Sequence, residues 1–131
     1  MTDRVFLDAN VLFSAAWLED SGLSRLWRLA GVTPITSRYA VGEAERNLDT
    51  DAQRARLHTL AQKMMLVDAP ESATLPHDVE LVAKDAPILL AAIEARATHL
   101  LTGDRTHFHA LYGRKIGGVK VLLPAVYLKR R

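Results

Sequence analysis

The chain has 131 residues, 49% hydrophobic and 24% charged, which fits one domain with a buried core and an ordinary soluble globular protein. It contains no cysteine, so disulfides, thiolate zinc sites and cysteine nucleophiles are excluded. Net charge is +2, but seven basic and no acidic residues lie from Arg105 onward, leaving ten basic against fifteen acidic residues before it, so a basic terminal third able to meet phosphates follows an acidic body.

Met1-Thr2-Asp3-Arg4 does not begin a basic-then-apolar leader, and no apolar run approaches the ~20 residues that span a bilayer. The expectation is a cytoplasmic protein with no membrane partner. Val5-Phe6-Leu7 is a compact apolar run ending at Asp8 and reads as a buried strand, with a helix beginning near Val11. Leu23, Leu26, Trp27 and Ala30 recur at helical spacing and stop at Gly31, which suits a C-terminal cap. Thr33-Pro34-Ile35-Thr36 reads as a second short strand, and Ser37 can cap a helix running to about Leu48.

A further helix is expected over Ala52 to Lys63, with Leu57, Leu60 and Ala61 inward, then a third strand over Met64 to Val67 followed by Asp68. Beyond a loop around Pro70 to His77, the stretch from Ile88 to Ala97 is apolar almost all round, as a deeply buried helix would be. His99-Leu100-Leu101-Thr102 and Val119-Lys120-Val121-Leu122-Leu123 bring the count to about five strands. Strands alternating with helices predict an α/β fold, a mostly parallel sheet covered on both faces, in one domain over residues 1–131. Ligands of such folds sit beyond the C-terminal strand ends, where Asp8 and Asp104 fall.

Read singly, each of four acids has an ordinary structural explanation. Asp8 or Asn10 would cap the helix near Val11, and Asp85, two residues before Pro87, suits a helix start. Gly103-Asp104 is a turn signal that would cap a short helix through His107 and Leu111, while Glu43 sits mid-helix, where a solvated glutamate is the default. Read together, two strand-end aspartates, a helix glutamate and a helix-start aspartate can converge on one pocket. Carboxylates packed without a cation raise one another's pKa. Hard oxygen donors without cysteine or a clear histidine pair suit Mg²⁺ or Mn²⁺, an ion able to polarise a phosphoryl oxygen and lower the pKa of bound water, as phosphodiester hydrolysis requires.

Four motifs in order, Val5-Phe6-Leu7-Asp8-Ala9-Asn10-Val11-Leu12, Ser37-Arg38-Tyr39 with Glu43, Asp85-Ala86-Pro87-Ile88-Leu89 and Leu101-Thr102-Gly103-Asp104, give a chain that resembles the PIN-domain nucleases over nearly its whole length. It looks closest to the prokaryotic toxin nucleases of the VapC type. The resemblance implies a three-layer α/β/α sandwich, RNA as substrate, a homodimer, and a small antitoxin protein bound over the active site. Carried over, Asp8, Glu43, Asp85 and Asp104 would be the catalytic acids that hold Mg²⁺ or Mn²⁺. Thr102 would orient a carboxylate or a bound water, and Asn10 would support the first aspartate from outside the ligand set. Helical geometry leaves Glu43 and Glu45 equivalent, since both flank the face of Val41, Ala44 and Leu48; the spacing from Ser37 and Tyr39 in the family selects Glu43. Where some members carry a further acid, this chain has Thr106, which implies a weak or substrate-dependent second metal.

Arg105, beside Asp104, and Arg38 are candidates for holding substrate phosphate, with a solvated arginine as the alternative. His107 and His109 are two apart and would face different sides of a helix, which favours packing or RNA contact over metal ligation. Trp17 and Trp27 fall in apolar helical patterns that suit core or dimer interface better than base stacking. Two rival functions exist: a PIN-like module that binds RNA or protein without turnover, and a phosphorylation-receiver domain with Asp68 as acceptor and Thr102 and Lys120 as helpers. The receiver reading leaves Glu43, Asp85 and Asp104 without a task.

Overall fold

Val5, Phe6 and Leu7 lose almost all solvent contact in β1 (Asp3–Leu7). The computed structural model describes residues 2–69, 74–76, 78–81, 83–104 and 106–131; Arg105 and most of the expected loop from Pro70 to His77 lie outside the described residues. A strand apolar at consecutive positions needs cover on both faces. β1 has that cover at the centre of the sheet, pairing in parallel with β2 (Val32–Ser37) on one side and β4 (His99–Leu101) on the other.

From β1 the chain runs through α1 (Ala9–Trp17), which buries Val11, Leu12, Ala15 and Ala16 along one stripe. The helix expected over Leu23 to Ala30 is instead a 3-10 segment, Gly22–Arg28. Leu23 and Leu26 are three apart, the period of a 3-10 turn, and Leu29 is already extended. After β2, the Ser37 hydroxyl accepts the Ala40 amide at 3.1 Å and starts α2 (Arg38–Asn47). Thr50 and Gln53 form a reciprocal capping box at the head of α3 (Asp51–Gln62). β3 (Met65–Val67) then pairs with β2, and α4 (Ala86–Glu94) buries Ile88, Leu89, Ala91 and Ala92 before the chain enters β4.

The sheet has six strands, in the order β3-β2-β1-β4-β6-β5, rather than the five expected. The addition is β5 (Lys115–Ile116), a two-residue strand antiparallel to β6 (Val119–Leu122). It is too short to carry a hydrophobic period, and it exists because Gly117 and Gly118, at φ 55° and 86°, fold the chain back at once. All other pairings are parallel, helices flank the sheet in the α/β/α arrangement, and α5 (Pro124–Lys129) closes the chain against β1 through Tyr127, whose hydroxyl donates to Asp3 at 2.7 Å. The chain leaves β1 toward β2 but leaves β4 toward β6, so these neighbours diverge and a crevice opens beyond their C-terminal ends. Asp8 follows β1 there, and Thr102 follows β4.

Candidate metal centre

The backbone joins the two strand ends first: the Asp8 amide donates to the Leu101 carbonyl at 3.1 Å. Side chains then lock them. Thr102, fully buried, donates its hydroxyl to Asp8 Oδ2 at 2.7 Å and accepts the Asp104 amide at 3.1 Å. Asn10 spans the same gap, its Nδ2 donating to Asp8 Oδ2 and Thr102 Oγ1 while its Oδ1 accepts the Gly103 amide at 2.8 Å. Asp8 also caps α1, taking the Ala9 amide on Oδ1 at 2.6 Å. Burial of Asp8 pushes its carboxyl up to about 6, against the hydrogen bonds from Thr102 and Ala9 and with smaller help from Asp85 and Glu43.

Asp85 departs from its expected structural duty. It precedes α4 in helical conformation with Pro87 in the first turn, but its side chain makes no capping bond. Although only 8% exposed, its carboxylate points toward Asp104 and His107, and burial raises its pKa, with Asp104 adding to the rise and His107 opposing it. Asp104 does act as a turn former: Oδ1 accepts the amides of Thr106 and His107 at 3.0 and 2.8 Å, although the helix expected to follow is a turn and a 3-10 segment, His109–Leu111. Its Oδ2 lies 2.9 Å from His107 Nδ1, which lies 2.6 Å from Asp85 Oδ2. Neither approach has hydrogen-bond alignment. Among the described residues, Asp85 Oδ2 and His107 Nδ1 are the buried side-chain atoms left without a hydrogen-bond partner.

A cleft of about 360 Å³ opens here, and Asp8, Glu43, Asp85 and Asp104 all line it together with Asn10. Glu43 reaches it from α2, whereas Glu45 turns away to pair with His58 of α3. Tyr39 straps the rim: its hydroxyl donates to the Lys84 carbonyl at 2.6 Å, and burial, followed by Glu43, pushes that hydroxyl's pKa up to about 12. Three lining residues escaped the sequence reading. Lys84 places a cation beside the acids, Asn47 anchors to the Glu43 carbonyl at 2.9 Å, and Phe13 supplies an apolar wall. Lys84 had a sequence signal in its place beside Asp85; Phe13 and Asn47 had none beyond lying on the same helices as Asn10 and Glu43. The helical geometry that sends His107 and His109 to different sides does not apply, because His107 lies in a turn.

Arg38 does not line the cleft; it forms an exposed ion pair with Asp68 at 2.8 Å, and Asp68 does not line the cleft either. Among the described basic residues of the terminal third, Lys120, Arg131 and Arg114 also lie away from the cleft lining. Lys120 pairs with His99 at the start of β6, and Arg131 reaches Asp3 at the start of β1, so both mark the strand ends opposite the cleft. Arg114 is paired with Asp78 at 3.4 Å.

The donors fit a divalent cation. Asp85, Asp104 and His107 offer ligand atoms within 4.8 Å of one another, and Asp8 and Glu43 line the same cleft as the two aspartates, so the set is rich in negative charge and hard oxygen. Comparison with curated proteins finds no match. Comparison with protein families matches the PIN domain over residues 4–106, a span that runs from β1 past Asp104 and takes in all four acids. The chain belongs to the PIN domain family.

Proposed function

We propose that this protein is a divalent-metal-dependent endoribonuclease that hydrolyses RNA phosphodiester bonds in the acidic cleft, and that it is the toxin of a VapC-like toxin–antitoxin pair, acting in the cytoplasm as a homodimer. PIN domains are nucleases that use divalent metals, which supports the hydrolase part of this reading. The observation that carries the site is the meeting of Asp8, Glu43, Asp85 and Asp104, from four separate stretches of chain, around one cleft. Asp8, Glu43, Asp85 and Asp104 would hold Mg²⁺ or Mn²⁺, which when bound polarises a phosphoryl oxygen and lowers the pKa of a coordinated water. Thr102 and Asn10 fix the Asp8 carboxylate in one orientation through Oδ2. Lys84, at the rim, offers a charge to a non-bridging phosphate oxygen, and Phe13 excludes water from one wall.

The purified chain should cleave single-stranded RNA with Mg²⁺ or Mn²⁺ and stop in EDTA. Asp8→Asn and Asp104→Asn should each lower the rate by at least ~10²-fold with an unchanged circular dichroism spectrum. Undiminished cleavage in EDTA by contaminant-free protein would overturn the metal mechanism.

A further inference from the structure

We propose that His107 is a nitrogen ligand of this metal centre, joining Asp85 and Asp104 in a mixed set that favours Mn²⁺ over Mg²⁺. The inference rests on the reading of the cleft as a divalent-metal site and adds to it a donor outside the four acids. Asp85, Asp104 and His107 offer ligand atoms that all lie within 4.8 Å of one another. Neighbouring ligands of an octahedral ion at ~2.1 Å stand about 3.0 Å apart. The separations of 2.6 and 2.9 Å from His107 Nδ1 to the two carboxylates are close to that spacing, yet they are not hydrogen bonds. A protonated ring would pair with both carboxylates, but neither contact has hydrogen-bond geometry, and a cation bound by the neutral ring and the two carboxylates would satisfy the buried oxygen and nitrogen together.

The ring is also held in place by the residue it would share the ion with. Asp104 uses Oδ1 to accept the His107 amide at 2.8 Å and presents Oδ2 to the same residue's Nδ1. Phe108, fully buried, anchors the turn from the other side. Asp85 is free to take part because its side chain is not spent on capping α4. Imidazole is a softer donor than carboxylate: Mg²⁺ demands oxygen donors and water, whereas Mn²⁺, a first-row transition ion at the weak end of the affinity order for nitrogen-containing sites, gains more than Mg²⁺ from a ring nitrogen beside carboxylates.

Pulsed electron paramagnetic resonance on the parent loaded with MnCl₂ reads the ligand directly, since a bound imidazole couples its ¹⁴N to the Mn²⁺ electrons. The coupling should be present in the parent and in His109→Ala, and absent in His107→Ala. Calorimetric titration with MnCl₂ and MgCl₂ should show His107→Ala and His107→Asn losing about tenfold or more in Mn²⁺ affinity and less than about threefold in Mg²⁺ affinity. Equal losses for both ions would overturn the preference for Mn²⁺, and a parent that binds Mn²⁺ without ¹⁴N coupling would remove His107 as a ligand while leaving the metal site intact. A parent that binds neither ion would instead overturn the metal reading of the cleft. A parent spectrum without the coupling overturns the proposal even where His107→Ala fails to fold, and His107→Asn serves as the second variant that assigns a coupling that is present.

Discussion

Asp8 holds α1 by accepting the Ala9 amide, receives the Thr102 hydroxyl, and faces the cleft with what remains of its charge. Its folded pKa of about 6 stands above the ordinary 3.8, so the folded state retains a proton that the unfolded chain has released. Stability is therefore lost as pH rises from about 4 to about 6, by roughly 3 kcal/mol from this group in the absence of metal, and Asp85 adds a loss in the same direction. Denaturant melts in EDTA should show Asp8→Asn gaining on the parent across that interval, with the difference constant above pH 7. A difference that does not change with pH would mean the carboxyl is not perturbed. On α2, Glu43→Gln should reduce cleavage by at least about tenfold, and Glu45→Gln by less than about threefold, because Glu45 is engaged by His58; initial-rate assays on one RNA decide it. The places of Asp8 and Asp104 beyond strand ends were legible because each follows a short apolar run that reads as a strand. The approach of His107 to Asp85 and Asp104 was not, since no periodicity encodes the turn that aims its ring.

The β5–β6 hairpin illustrates what sequence pattern conveys about elements and where it stops. Val119 to Leu122 alternate enough apolar character to announce β6, but Lys115-Ile116 is two residues long, and only the glycine pair after it signals a strand. Both glycines have positive φ, yet their surroundings differ. A Cβ on Gly117 would come within 3.0 Å of Ile93 Cδ1 and Cγ1, whereas one on Gly118 would meet nothing within 4 Å. Gly118→Ala should cost ~1 kcal/mol from backbone strain alone, and Gly117→Ala about 1–3 kcal/mol more from overpacking against α4. Chemical denaturation of the two variants tests the ordering, and equal costs would show that Ile93 moves aside freely. The 3-10 segment teaches the same lesson: apolar residues three apart suit either helix type, and the choice was made by Leu29 leaving helical geometry.

At the scale of the whole molecule, the four acids lie at the C-terminal strand ends, whereas Lys120 and Arg131 lie at the N-terminal ends, Arg131 beside Asp3. Phosphate contact near the cleft therefore falls to Lys84 among the described residues that line it. With Ca²⁺ replacing Mg²⁺ to slow turnover, Lys84→Ala should reduce the log–log salt slope of RNA binding by about one, while Lys120→Ala should leave it unchanged. The reverse result would place the RNA path across the far end of the sheet. The helix-flanked parallel sheet was readable from the alternation of apolar runs and helical stripes, because its central strands are buried on both faces; the placement of Lys120 and Arg131 away from the acids was not, because it depends on strand direction and order. The bonds between Arg4 and Thr98 bridge 94 residues of sequence, and the Asp8–Leu101 contact is almost as distant. Such a closure is slow, since nearly the whole chain must be gathered before any of these bonds forms. On the ribosome, the growing polypeptide cannot bring Asp8 and Asp104 to one cleft until Asp104 has emerged and β4 has docked, so the cleft is assembled only late in synthesis.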